Sequence, residues 1–176
     1  MLEAAADSAA SRWSGFPAWV LLDTTGHIDS CNDATIARSM TNQYGAIEVS
    51  FAVVNPPALS RCVIRCPDLT DDDYSILPTS SVTGADGAFL LIGVTFLHPK
   101  DGYPVIDVFL YRAGPGAPSL HLLPRPYPVG IHSNHVAVLS SSGDHCLVVV
   151  PDQRAEKSGA VNYKLHIFST RPNCGA

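Results

Sequence analysis

Two neighbouring segments decide the fold class, Phe89–Leu97 (FLLIGVTFL) and Val105–Arg112 (VIDVFLYR). Each is a short, mostly apolar run bounded by turn-forming residues, and neither shows the spacing of an amphipathic helix. Asp86-Gly87 precedes the first segment, and this dipeptide is typical of a hairpin turn because glycine accepts a positive φ. The pattern predicts antiparallel strands, continued by a third strand at Ser119–Leu123.

The same arrangement recurs further along the chain. A shift of 57 residues aligns Leu91 with Val148 and Leu110 with Ile167, without gaps. The second set of strands is expected at Val136–Ser140, Cys146–Val150 and Tyr163–Ser169. The sequence therefore indicates an internal repeat of a small sheet.

We interpret residues 79–130 and 131–170 as two blade-like units of an incomplete β-propeller, because repeats of several short strands are typical of that architecture. Two ordinary antiparallel meanders that match by chance are the alternative. The second unit has no counterpart of Ser119–Leu123, so its sheet is expected to lack an edge strand. Such an open edge permits strand addition or self-association.

The first part of the chain, residues 18–66, is expected to form a strand pair. Ile47–Val54 alternates between apolar and other residues, as a half-buried strand does, and Arg61–Cys66 alternates in the same way. Asp33–Met40 is the one segment that favours a helical turn. Residues 1–17 are expected to be a flexible N-terminus and residues 18–176 a single all-β domain of antiparallel, short-stranded sheets.

Composition restricts the classes of function. Hydrophobic residues make up 46% of the chain, charged residues only 15%, and the net charge is −5. The 11 basic residues are scattered, which argues against nucleic-acid binding through a basic face. No apolar run approaches the ~20 residues of a membrane helix. Five cysteines without a secretory signal predict reduced thiols in the cytoplasm or nucleus.

Motifs of nucleophilic catalysis and phosphate binding are absent from the sequence. Ser141, Ser142, Asp144 and His145 contain the residue types of a catalytic triad. Adjacent residues on a turn point apart, however, so a tight polar turn is the better interpretation. We therefore predict no enzymatic activity and no cofactor.

The sequence contains two groups of potential metal ligands. His132 and His135 lie three residues apart, and His145 and Cys146 follow about ten residues on. The spacing of the first two fits a helix better than the loop expected there. Cys62 and Cys66 would lie about 13 Å apart on a straight strand, too far for one zinc ion or a disulfide. Buried thiols are the better interpretation of this pair, and no metal site is predicted.

The segment Pro124-Arg125-Pro126-Tyr127-Pro128 is the most distinctive surface candidate. Alternating prolines favour an extended conformation, from which Arg125 and Tyr127 could contact a partner. A stiff connector between the two repeats, with Tyr127 packed on the next sheet, is the alternative.

Several motifs together resemble a known family. They are Trp19-Val20-Leu21-Leu22-Asp23, Asn55-Pro56-Pro57-Ala58-Leu59-Ser60, Phe109-Leu110-Tyr111-Arg112-Ala113, Pro118-Ser119-Leu120-His121-Leu122-Leu123-Pro124 and Tyr163-Lys164-Leu165-His166-Ile167-Phe168-Ser169. In order and spacing they resemble the N-terminal half of grass-expanded plant proteins that share a domain of unknown function, the family numbered sixteen-eighteen. The resemblance implies a plant protein with longer relatives that continue into further β repeats, and it supplies no catalytic residues.

These observations favour a non-enzymatic protein-interaction module with an unknown protein partner. A propeller-type enzyme with an unidentified site and a truncated, non-functional product are the alternatives. The strand assignment places Leu165 on a buried face, so Leu165→Asp is expected to unfold the last sheet because it would bury an unpaired charge. His166→Asp, on the opposite face, is expected to be milder.

Overall fold

A computed structural model describes residues 17, 19–30, 33–70, 75–76, 80–97, 104–114, 117–124, 136–141, 145–155 and 161–170. Within these ranges the chain forms twelve strands and one short 3₁₀ turn. The strands are β1 (Leu21–Ile28), β2 (Ala37–Met40), β3 (Ala46–Ala52), β4 (Leu59–Arg65), β5 (Ser75–Ile76), β6 (Ser81–Asp86), β7 (Phe89–Leu97), β8 (Pro104–Arg112), β9 (Ser119–Leu122), β10 (Ala137–Ser140), β11 (Cys146–Ala155) and β12 (Val161–Ser169). The predicted all-β class is confirmed.

The first nine strands form one large sheet with the order β2-β3-β4-β1-β6-β7-β8-β9, and β5 pairs with β7. Its first and last strands, β2 and β9, lie against each other, so the sheet is nearly closed. The β1–β4 pair is parallel, whereas only antiparallel sheets were expected. Parallel neighbours need a long crossover connection, which the β2–β3 hairpin supplies here.

The predicted strand pair in the first part of the chain is present. Strands β3 and β4 are antiparallel, with Val49 opposite Ile64 and Phe51 opposite Cys62. All four side chains are buried, as the alternation predicted. The predicted helical turn is confirmed only at Asp33–Thr35, because the residues after it form β2 and pair with β3.

Strands β6 to β9 form the predicted antiparallel meander. Gly87 occupies the β6–β7 turn with a φ of 58°, which is the left-handed conformation that glycine favours. In place of a separate blade, however, the meander continues through the pairing of Thr25 with Ser81 into β1. One apolar cluster, which includes Ile47, Ile92 and Phe109, fills the interior of this large sheet.

The remaining three strands form a small antiparallel sheet with the order β10-β11-β12. One of its faces packs on the outside of the large sheet. A second apolar cluster lies between them, in which Leu91 and Leu110 of the large sheet meet Val138 and Val148 of the small one. The outer surface of the meander is therefore covered by the second repeat.

The two repeats differ by one residue in strand register. In the first, Leu91 lies opposite Leu110, and a shift of 57 residues places Val148 opposite Ile167. In the structure Val148 lies opposite Phe168 instead. A one-residue shift moves every side chain of a strand to the other face. The prediction that Leu165 is buried was therefore wrong: its side chain is 57% exposed.

Candidate functional site

The small sheet has one covered and one uncovered face because β11 alternates. Cys146, Val148 and Val150 point toward the large sheet and are each 1% exposed. Leu147, between two of them, is 38% exposed on the opposite side. Both sets of side chains are apolar, so the period-two pattern that normally pairs a buried face with a polar one is broken here.

Cross-strand neighbours extend this uncovered surface over all three strands. Leu139 lies opposite Leu147, and Val149 lies opposite Ile167. Leu139, Leu165 and Ile167 are 52%, 57% and 60% exposed. We call Leu139, Leu147, Val149, Leu165 and Ile167 the apolar face. A contiguous exposed apolar patch of this kind is typical of an interaction site.

The apolar face ends at the outer edge of β12, where backbone N–H and C=O groups can also accept a partner strand. The Thr170 N–H donates to the Cys146 carbonyl (3.1 Å), and the Cys146 N–H donates to Oγ1 of Thr170 (2.9 Å), so the backbones of these opposite residues face each other. Such pairs alternate along an antiparallel ladder. Phe168 therefore turns its backbone groups toward β11, whereas Leu165 and Ile167 turn theirs away. Among the described strands, none lies on the outer side of β12.

The opposite edge of the small sheet lies against the large sheet. At the end of β10, the Ser140 N–H and hydroxyl donate to Oδ2 of Asp86, at 2.6 and 2.8 Å. The backbone hydrogen bond from Ser140, more than the one from its hydroxyl, lowers the pKa of Asp86. Strand β10 also lies against β6. Of the two edges of the small sheet, the β12 edge is thus the accessible one.

A cleft of about 470 Å³ opens where the ends of β9 and β12 diverge. Its residues are Leu110, His121, Leu123, Pro124, Val148, Ile167, Phe168, Ser169 and Thr170. Among these, His121 is the ionisable side chain; it is exposed and lies opposite Leu110. General acid–base catalysis needs at least one positioned proton donor or acceptor beside a reacting group. The cleft is therefore a mainly apolar surface that carries the hydroxyls of Ser169 and Thr170. Its described residues do not include the set of ionisable groups that a catalytic site needs.

A second polar arrangement lies on β1, where Oδ2 of Asp23 is 3.0 Å from Nε2 of His27. The Thr25 N–H donates to Oδ1 of the same carboxylate (3.0 Å). The hydrogen bond from Thr25, followed by that of His27, lowers the pKa of Asp23. The His27 contact spans the irregularity between Asp23 and Gly26 in the pairing with β4, and Thr25 lies within that irregularity. This pair stabilises a bulge, and no described hydroxyl is hydrogen-bonded to His27.

Only some of the candidate residues from the sequence lie within the described ranges. Arg125, Tyr127, His132 and His135 lie outside the described residues, so their predicted roles stay predictions. Of the tight polar turn, the Ser141 N–H donates to the His145 carbonyl (2.8 Å).

The sequence predicts buried thiols at Cys62 and Cys66. Cys62 is buried, as is Cys146, whereas Cys66 is only half-buried. Burial raises the pKa of the Cys146 thiol, which disfavours the thiolate. Within the described part of the chain, no group of three or more His, Cys, Asp or Glu side chains could hold a metal ion.

Comparison with protein-family models, curated proteins and solved structures gives no match. The resemblance to the plant family numbered sixteen-eighteen therefore stays a prediction. No helix in the described ranges is long and apolar enough to cross a membrane.

The sequence interpretation placed an open edge at the last strand but missed the apolar face beside it. A signal was present: Leu147, Val148 and Val149 are consecutive apolar residues in a strand of a small sheet. A strand with two apolar faces is normally buried on both sides. Only one layer lies next to β11 in the described structure, so one face is left uncovered.

Proposed function

We propose that this chain is a non-enzymatic protein-interaction module that binds an extended segment by strand addition to β12. The carrying observation is that Leu165 and Ile167 turn both their backbone groups and their apolar side chains away from the molecule. A docked strand would use both, because main-chain hydrogen bonds supply affinity and alternate side chains supply specificity in this mode of recognition.

The energetics support the proposal. Each net backbone hydrogen bond contributes about 0.5–1.5 kcal/mol, and apolar surface removed from water contributes about 25 cal/mol per Å². A strand placed beside β12 gains the first term at its backbone and the second where its side chains cover Leu165 and Ile167. Ordering a flexible segment opposes both terms, so we expect moderate affinity.

The cleft gives the alternative of a propeller-type enzyme less support. Such an enzyme would need several ionisable groups that converge within hydrogen-bonding reach. The cleft contributes His121 alone among ionisable side chains. The Asp23–His27 pair lies on a different strand, where it stabilises the bulge. Within the described residues, no hydroxyl or thiol is hydrogen-bonded to His121 or His27.

For the setting of this function we propose a reducing compartment, the cytoplasm or the nucleus. The free thiols of Cys62 and Cys146, both buried, support this choice, because disulfides persist mainly in oxidising compartments. The net charge of −5 argues for a protein partner over a nucleic acid. A plant source and membership of the family described above remain part of the same proposal.

A displayed library of random nonapeptides tests the proposal directly. Selected peptides should slow hydrogen exchange at the amides of Leu165 and Ile167, whose N–H groups would become hydrogen-bonded. Ile167→Pro removes one outward N–H and should weaken peptide binding at least about tenfold. Ile28→Ser, at a 62% exposed position on β1 outside the apolar face, is the matched control and should change binding little. Peptides that leave both amides unprotected would contradict the proposal.

A further inference from the structure

The distribution of strand edges restricts what can pair with β12. The large sheet has its edge strands β2 and β9 against each other, and β10 lies against β6. Of the described strands that end the two sheets, β12 is the one with no other strand against its outer edge. When two copies of the chain meet, β12 is therefore the described strand that each can offer along a whole edge.

We infer that two copies of this chain form a symmetric dimer through antiparallel β12–β12 pairing, with the two-fold axis at Leu165. The inference rests on the proposed function and names the partner as a second copy. This register pairs all nine residues of the strand, Val161–Ser169. It also places Leu165 opposite Leu165 of the second copy, so that the outward backbone groups hydrogen-bond to each other.

Charge favours a second copy over a charged partner. The apolar face carries no charged side chain, and Lys164 is the one permanently charged residue of β12. A partner therefore needs no complementary charges at this surface. A second copy meets these requirements, and it brings Leu165 onto Leu165 where a cross-strand apolar pair contributes about 0.2–1 kcal/mol.

The same geometry makes the assembly closed. An isologous interface uses the same surface on both subunits, so a dimer leaves no second β12 edge exposed. Growth through β10 is opposed because Asp86 accepts two hydrogen bonds from Ser140 and holds the end of that strand. The expected product is a dimer with a continuous six-stranded sheet and not a fibre.

Long-range charge predicts how the dimer responds to salt. Each copy carries a net charge of −5, and the repulsion between them is screened within about 8 Å at physiological ionic strength. The dimer is therefore expected to tighten as sodium chloride is raised from about 0.05 to about 0.5 M. Attraction to an oppositely charged partner would weaken under the same change.

Cysteine cross-linking tests the register in the full chain, with Cys31, Cys66 and Cys174 replaced by serine. Leu165→Cys should give a covalent dimer under mild oxidation, because opposite Cα atoms of a hydrogen-bonded pair are about 5.5 Å apart, within disulfide range. Ile167→Cys is the matched control. Its two copies would be displaced by four residues, about 13 Å, and should not cross-link.

Light scattering across a concentration series tests the backbone contribution. Wild-type protein should show twice the monomer mass of 18.7 kDa. Leu165→Pro removes the central N–H and should raise the dissociation constant at least about tenfold, whereas Leu165→Ala keeps it and should have a smaller effect. Far-ultraviolet circular dichroism checks that each variant is folded.

The outcomes separate this inference from the proposed function. If the wild-type protein is a monomer at about 500 µM and library peptides still protect the amides of Leu165 and Ile167, the dimer is ruled out. The proposed peptide-binding function then stands. A dimer that cross-links equally through Ile167→Cys overturns the register at Leu165. A monomer whose β12 amides no peptide protects overturns both. Selective Leu165→Cys cross-linking of a wild-type dimer supports the inference.

Discussion

Asp107 and Asn42 join two distant parts of the large sheet although 65 positions separate them in the chain. The Asn42 N–H donates to Oδ2 of Asp107 (2.9 Å), and the Asn42 side-chain amide donates to Oδ1 (2.6 Å). The Asp107 side chain lies on β8 and is fully buried. Asn42 lies in the β2–β3 turn, so this contact links the first edge of the sheet to the strand next to its last edge.

Asp107→Ala should lower the free energy of unfolding by about 3 kcal/mol, because hydrogen bonds to a charged group contribute about 1.5–3 kcal/mol each and the Asn42 N–H would lose its acceptor. Urea denaturation measures the change. Asn42→Ala, alone and combined with Asp107→Ala, completes a double-mutant cycle. Strict additivity of the two changes would show that this contact does not couple the two segments.

Tyr111→Phe tests the polar contact inside the large sheet. The Tyr111 hydroxyl donates to the Thr35 carbonyl (2.7 Å), and its loss should cost about 1 kcal/mol. Burial, and to a lesser extent Cys62, raises the pKa of Tyr111 above its ordinary value of 10.0.

The raised pKa also predicts a pH dependence with a definite sign. Above about pH 10 the unfolded chain loses the tyrosine proton while the folded chain keeps it, so stability falls as pH rises. Thermal unfolding between pH 8 and 11 should show a smaller alkaline loss for Tyr111→Phe than for wild type. Equal losses would contradict the buried, neutral hydroxyl.

Leu165→Asp and Val148→Asp form a matched pair on the small sheet. Leu165 is 57% exposed and Val148 is 1% exposed. We expect Leu165→Asp to change stability by less than about 1 kcal/mol, and Val148→Asp to cost about 4 kcal/mol because it buries an unpaired charge. Melting temperatures at low protein concentration, where pairing contributes little, check the difference. A larger loss of stability for Leu165→Asp than for Val148→Asp would contradict the observed register and favour that of a perfect repeat.

Gly26→Ala should destabilise the junction of β1 with β6. A Cβ there would lie 2.8 Å from the Ser80 carbonyl oxygen and 2.9 Å from Cδ1 of Ile64. The Gly26 N–H also donates to that carbonyl at 2.7 Å, so the backbones cannot separate without losing the bond. We expect a loss of about 1–3 kcal/mol by denaturation. Gly114→Ala is the control, because its nearest neighbour is 3.9 Å away.

Asp86→Ala should loosen the attachment of β10 to the large sheet. The hydrogen bonds from Ser140 depress the pKa of Asp86 below its ordinary value of 3.8. Their stabilisation is therefore present above about pH 4 and is lost as pH falls through the lowered pKa. Amide exchange at Leu139 and Ser140 should accelerate in the variant at neutral pH. If these amides exchange at the wild-type rate, the carboxylate does not hold the strand.

Much of the fold could be predicted from local patterns. The period-two alternation of Ile47–Val54 and Arg61–Cys66 predicted which side chains of β3 and β4 are buried, because alternate residues of a strand share a face. Asp86-Gly87 predicted the β6–β7 hairpin for the local reason that glycine accepts a positive φ. The candidate site was predicted only in part, as an open edge without the apolar face.

What the sequence alone determined is therefore the all-β class, most strands and the faces within several of them. The tertiary structure decided the parallel β1–β4 pair, the Asn42–Asp107 contact and the one-residue offset that exposes Leu165. The physical reason is that alternation shows which residues of one strand lie together. Register and neighbours depend on contacts between distant segments, such as the Thr170–Cys146 hydrogen bond.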